Sequence, residues 1–187
     1  GAVVLAHANA RDKIAGMNTG LHAGSVVRVG STVELEVLDT PGHTMSHICL
    51  LSKTQVPALF SGDTIFNAGV GHCHYGGDPD VLANTVLSQV AALPDKTLLY
   101  PGHDYIVNNL RFTLDREPNN SAAAELLQQV ESQDPNQALI TNLGQERQIN
   151  TFFRTSSTEI IKNFSHLAVS ATPREVFLAL RERRNSW

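Results

Sequence analysis

The chain has 187 residues, a formal net charge of −4, 42% hydrophobic residues and 17% charged residues. That balance describes a globular fold able to bury roughly 70% of its unfolded surface, and it excludes disordered and fibrous classes. The acidic balance disfavours a general nucleic-acid or anionic-membrane binder. No apolar run approaches the ~18 residues of a membrane span, and no basic-then-apolar leader opens the chain.

In chain order, the first hundred residues read as short strands separated by glycine turns. Val3-Val4-Leu5 is a strand candidate. Val26 to Val29 and Val33 to Val37 flank Gly30-Ser31, and the second of these alternates apolar with acidic residues, the period of a half-buried strand. Ile48 to Leu51, Ala58 to Phe60 and Thr97 to Tyr100 are further strands. A helix is predicted from Asp78, a good N-cap followed by proline, with Leu82, Val86, Val90 and Leu93 on one face and Pro94 as its stop. Beyond Asp104 the pattern becomes helical. Ile106, Leu110 and Leu114 share one face, Ala122 to Val130 forms a second helix ended by an Asp134-Pro135 turn, and Ser156 to Phe164 forms a third. The last helix opens on Thr172-Pro173-Arg174-Glu175, a capping box, and runs to the C-terminus. A β-rich part followed by a helical part puts a domain boundary near Asp104, with no flexible linker between them.

Six of the eight histidines lie between His22 and His103. Three strands run into loops that carry a glycine beside an ionisable residue: Asp39-Thr40-Pro41-Gly42-His43, Ser61-Gly62-Asp63 and Pro101-Gly102-His103-Asp104. Strand ends that open into loops on one rigid sheet are where active sites gather. His43, Asp63 and His103 are therefore the leading metal set, because imidazole suits zinc, iron and manganese while a carboxylate bridges two such ions. Each motif alone is more often an ordinary polar turn than a functional site. The weight lies in their order and joint spacing.

Thr40-Pro41-Gly42-His43-Thr44 with His47, then Ser61-Gly62-Asp63-Thr64, then Pro101-Gly102-His103-Asp104 resembles the ordered motif set of the metallo-β-lactamase fold. Asn108 to Phe112, Glu117-Pro118 and Arg181-Glu182-Arg183-Arg184 resemble glyoxalase II, the hydroxyacylglutathione hydrolases. The resemblance implies an αββα metallo-β-lactamase sandwich, incomplete at its N-terminus, over residues 1–104, and a small all-α glutathione-binding domain over 105–187. It implies two divalent ions, zinc first and iron or manganese as alternatives, with His43 on one ion, His103 on the other and Asp63 bridging. His47 matches a non-ligand position. A hydroxide between the ions would attack the thioester carbonyl, so no side chain is expected as a catalytic group in its own right.

On the substrate side, Arg181 and Arg184 sit three apart on one helix face and match basic positions that hold glutathione. Tyr105 matches a pocket tyrosine. His72 and His74 occupy loop positions where the family offers a lysine and a tyrosine. Without the resemblance, the arginines read as a solvated helix end favoured by the macrodipole. The implied activity is hydrolysis of S-2-hydroxyacylglutathione, S-D-lactoylglutathione by default, by a cytoplasmic monomer with no nucleic-acid or membrane partner. Cys49 and Cys73 form neither a zinc pair nor a disulfide framework, which fits a reducing compartment.

One departure matters. The family's His-x-His-x-Asp-His motif does not occur in the sequence, and His72-Cys73-His74 with Asp78 is a poor substitute because it lacks the Asp-His pair at the required spacing. The chain therefore reads as the C-terminal three-quarters of an enzyme, inactive or weakly active alone. Two rival readings are an iron-dependent glutathione persulfide dioxygenase on the same fold, which generally lacks the helical tail, and a non-catalytic glutathione-binding fragment. His7, His22 and His166 are expected as isolated surface or loop histidines, Cys49 as a buried small hydrophobe, and Phe152-Phe153 as packing between domains.

Overall fold

The computed structural model describes residues 1–132, 134 and 137–187. Strand β1 (Leu5–His7) pairs in parallel with β2 (Thr19–Leu21), so the first strand lies two residues beyond its predicted place. A six-stranded sheet follows, built from β3 (Val26–Val29), β4 (Val33–Asp39), β5 (Ile48–Ser52), β6 (Ala58–Gly62), β9 (Leu98–Pro101) and β10 (Thr141–Asn142), in the order β10-β9-β6-β5-β4-β3. Between β6 and β9 in sequence, β7 (Ile65–Phe66) and β8 (Gly69–Val70) form a small antiparallel hairpin that the sequence reading did not contain.

Cross-strand register decides which residues share each face of the sheet. Leu35 and Val37 are buried on one face, and the pairing places Leu38, Cys49, Leu51, Leu59 and Leu99 together on the other. Against it packs α1 (Pro79–Asn84), which opens on Asp78, whose Oδ1 accepts from the amides of Asp80 and Val81. Leu82, Val86 and Val90 are fully buried, as their spacing predicts. Burying side chains of this size contributes about 1.5–3 kcal/mol each.

The single long helix expected up to Pro94 is instead three pieces. After Asn84 the chain widens into a π turn over Thr85–Gln89 and tightens into a 3-10 turn over Val90–Ala92. Thr85 Oγ1 donates to the Pro41 carbonyl and Ser88 Oγ to the Asn84 carbonyl. Side-chain hydroxyls that bond backbone carbonyls in this way compete with helix geometry.

Beyond β9 come α2 (Ile106–Arg116), α3 (Ser121–Glu131), α4 (Leu143–Ile149), α5 (Thr158–Lys162) and α6 (Pro173–Asn185). Helix α4 was not predicted. Its signal was the capping box Asn142…Gln145, which is formed reciprocally. The capping box predicted for α6 is present at Thr172 and Glu175. The expected turn at Asp134-Pro135 falls at a residue outside the described set.

The core joins sheet to helices: Phe112, Phe152, Phe177, Leu143 and Leu180 pack with Leu59, Leu99 and Leu82 in one cluster. A second cluster, with Ala68, Ile106, Leu110, Ala123 and Ile149, sits among α2, α3 and α4. Strand β10 pairs with β9, so the sheet takes one strand from the helical half of the chain.

Candidate metal centre and substrate groove

Strand direction brings the three predicted loops together. Strands β4 and β5 are antiparallel, β5 and β6 are antiparallel, and β6 and β9 are parallel. Strands β4, β6 and β9 therefore share one direction, and the loops bearing His43, Asp63 and His103 leave the same edge of the sheet. His43 Nε2 lies 3.5 Å and His103 Nε2 3.6 Å from the same atom, Asp63 Oδ2. Two glycines let the loops close around Asp63. A Cβ at Gly102 would stand 2.5 Å from Asp63 Oδ1, and one at Gly71 would overlap the Asp63 carbonyl oxygen.

The hydrogen-bond network fixes the orientation of both buried rings. His43 Nδ1 is 2.6 Å from the His72 carbonyl oxygen. A carbonyl only accepts, so Nδ1 carries the hydrogen and the Nε2 lone pair faces Asp63. His47 works from the other side. Its Nε2 accepts from the Asp63 amide at 3.1 Å, and its Nδ1 meets Thr64 Oγ1 at 2.9 Å. Burial, and secondarily the His43 ring, push His47 down to about 4, so it is neutral and serves to hold the Asp63 backbone. It is no part of the converging trio.

A lone pair on His43 Nε2 aimed at a carboxylate oxygen leaves two acceptors facing each other. A second proton on Nε2 or a metal cation relieves this contact, and the site's supply of one carboxylate between two imidazoles is the reason the residues suit a metal. Among the described residues, no group of three or more His, Cys, Asp or Glu side chains is arranged to hold a metal ion. The trio offers a carboxylate with one imidazole on each flank.

The substrate-side residues line two neighbouring cavities. One, of about 260 Å³, is walled by His43, Asp63, His103, Gly71 and Tyr75, and the other, of about 210 Å³, by Val70, His74, Asn109, Arg181 and Arg184; Phe66, His72 and Tyr105 border both. Tyr105 stacks on His103 and meets Phe66 edge-on. His72 stacks on His74, and partial burial together with the His43 ring lowers its basicity. A larger cavity of about 530 Å³ lies on the α2–α3 side of Tyr105, but it does not contain the histidine–aspartate trio.

The two arginines differ. Arg181 is only 5% exposed, which rules out the solvated helix-end reading for it. Its Nη1 donates to the Val70 and Gly71 carbonyls and its Nη2 to Asn185 Oδ1, so most of its guanidinium is engaged in holding the loop. Burial brings it down to about 10, and it stays charged at neutral pH. Arg184 lies over the rings of Phe112 and Trp187 and makes one long contact to Asn109 Oδ1, leaving donors for a ligand. His7 departs from its expected surface place. It is 6% exposed, with Nε2 3.4 Å from Asp39.

Fold and site define the class. The chain matches the structure of ETHE1 from Myxococcus xanthus over 99% of its own length and 66% of that chain, with a TM-score of 0.59 and 24% identity. It matches a metallo-β-lactamase from Staphylococcus aureus over 97% of its own length and 50% of that chain, with a TM-score of 0.58 and 23% identity. This is the metallo-β-lactamase fold. A family model described as the hydroxyacylglutathione hydrolase C-terminus matches residues 104–187. Hydroxyacylglutathione hydrolases from Nitrosococcus oceani and a Polaromonas species are 56% and 55% identical to it, over 98% and 100% of this chain and 72% and 73% of their own lengths. The chain belongs to the hydroxyacylglutathione hydrolase family and spans a little under three-quarters of those relatives. Among its described residues, no helix is long and apolar enough to cross a membrane.

Proposed function

We propose that the protein hydrolyses S-2-hydroxyacylglutathione thioesters, S-D-lactoylglutathione first among them, to glutathione and a 2-hydroxy acid. The observation that carries this reading is that the cavity holding the Asp63 trio and the cavity holding Arg184 are neighbours that share Phe66, His72 and Tyr105 as walls. A glutathione thioester needs both ends: a reacting site for its carbonyl and a cation for its carboxylates.

His43 and His103 would hold divalent ions on either flank of Asp63, zinc by preference and iron or manganese as alternatives. The chemistry that such ions supply is activation of water at neutral pH and polarisation of a carbonyl. The remaining work belongs to the chain. His72 keeps the hydrogen of His43 on Nδ1, and His47 fixes the Asp63 backbone. Arg184 offers unspent N–H donors to a peptide carboxylate, while Arg181 holds the Val70–Gly71 floor. Phe66 and Tyr105 form walls shared by the two cavities.

The test is release of free thiol from S-D-lactoylglutathione by the protein expressed from its full reading frame, compared with this chain. Oxygen uptake on glutathione persulfide without thiol release would replace the hydrolase with the dioxygenase reading. Binding of glutathione without turnover by either form would leave a binding module.

A further inference from the structure

Glu146 lies in the helical half, outside the groove, and its surface exposure is nil. It takes three donors. Oε2 accepts from the Ala68 amide at 2.8 Å and from Asn150 Nδ2 at 3.0 Å, and Oε1 accepts from Thr141 Oγ1 at 2.6 Å. A buried carboxylate costs stability unless it is fully hydrogen-bonded, and apolar side chains fill such space more cheaply. Its presence calls for a reason beyond packing.

The reason lies at Ala68, which joins β7 to β8 with φ +56°, a left-handed conformation that alanine rarely adopts. The turn is secured around that residue from three elements. Asn109 of α2 donates to the Asn67 carbonyl, Asn150 just after α4 donates to the Gly69 carbonyl, and the Asn67 side chain donates to Thr141 Oγ1. The far end of this hairpin is the groove itself. It contributes Phe66 and Val70, then Gly71 against Asp63, then the His72 carbonyl on His43 Nδ1.

We propose that Glu146 is a positioning residue, holding the Asn67-Ala68 turn in its left-handed form so that the segment from Phe66 to His72 stands at the groove. It acts through that segment and touches no substrate. The effect on turnover rests on the thioester-hydrolase reading; the hold on the segment does not.

The experiment measures amide hydrogen exchange and steady-state kinetics on the protein expressed from its full reading frame. In the parent, the Ala68 amide is expected to be strongly protected although it sits in a turn. In Glu146→Leu, which keeps the volume, amides 66–72 should exchange at least about tenfold faster while Leu99 in β9 is unchanged, and KM for S-D-lactoylglutathione should rise about tenfold or more. Glu146→Gln keeps an acceptor for Ala68 and should stay within about threefold of the parent. Ala68→Gly, which adopts the turn without strain, should restore much of the loss when added to Glu146→Leu. Fast exchange of Ala68 in the parent would overturn the proposal, even if the leucine variant cannot fold. So would exchange that rises equally at Leu99, or no rescue by glycine. Absence of thioester turnover in the parent would instead overturn the functional reading, and the exchange pattern would still decide the role of Glu146.

Discussion

The Nδ1 of His43 and the carbonyl oxygen of His72 stand 2.6 Å apart, and this bond determines which face of the His43 ring meets Asp63. A backbone carbonyl on the loop after β8 thereby sets the tautomer of a side chain on the loop after β4. It is the kind of outer partner whose loss weakens metal affinity by about 10–100-fold in other proteins.

Asp63→Asn should separate metal binding from folding. The amide can donate from Nδ2 to the facing lone pair of an imidazole, which removes the acceptor–acceptor contact without a cation. The variant is therefore expected to unfold at a temperature equal to or above that of the metal-free parent, while its metal affinity falls at least about tenfold. Thermal unfolding and elemental analysis after gel filtration measure both. Unchanged metal stoichiometry would remove Asp63 as the shared ligand.

Gly102→Ala tests the close approach of the third loop. The new methyl would stand 2.5 Å from Asp63 Oδ1 and 3.2 Å from the Gly62 carbonyl carbon. One of the two must move, and a displacement near 1 Å costs about 10²-fold in turnover where reacting groups are aligned. Overpacking of this kind costs about 1–3 kcal/mol in stability. Thiol release and urea unfolding read the two effects, and an unperturbed kcat would show that the loop yields without disturbing Asp63.

Arg181 and Arg184 should fail in different ways. Arg184→Ala removes binding common to substrate and transition state, so KM rises with kcat nearly unchanged. Arg181→Ala leaves the Val70 and Gly71 carbonyls without their buried donor, and stability should drop by about 1–3 kcal/mol. Equal stability losses in the two variants would contradict the division of labour drawn from their burial.

Glu146 gives a pH signature. Burial pushes its carboxyl up to about 7 from an ordinary value of 4.5. Between those pH values the folded protein holds a proton that the unfolded chain releases. Its contribution is thus fully present below pH 4.5 and is lost as pH rises towards 7, by about 3 kcal/mol at most. Glu146→Gln does not titrate. Parent stability minus variant stability, from urea unfolding at pH 5 and pH 8, should be larger at pH 5; a difference that grows with pH would contradict the burial of the carboxyl.

Much of this architecture can be read from short-range pattern. The alternation over Val33 to Val37, the Asp78-Pro79 start of α1 and the Thr172–Glu175 box of α6 are local signals, and each element stands within a residue or two of its predicted start. The break in the helix after Asn84 was hidden because Thr85 bonds the Pro41 carbonyl, forty-four residues upstream. The β7–β8 hairpin has only two residues in each strand, too few to show a period, and its turn carries an alanine where glycine would have marked it. Helix α4 had a legible cap at Asn142 and Gln145, but its seven residues fell short of a periodic face.

The sequence alone determined which residue types stand at the strand ends, which faces are apolar, and which family the motifs resemble, because these depend on neighbours along the chain. Tertiary structure alone decided that His43 and His103 flank one oxygen of Asp63. It also decided that Arg181 is engaged with the backbone while Arg184 keeps donors free, and that Glu146 reaches Ala68. Those relations depend on strand direction and on the packing of helices against a hairpin, and distances through space are not encoded in the spacing of any single segment.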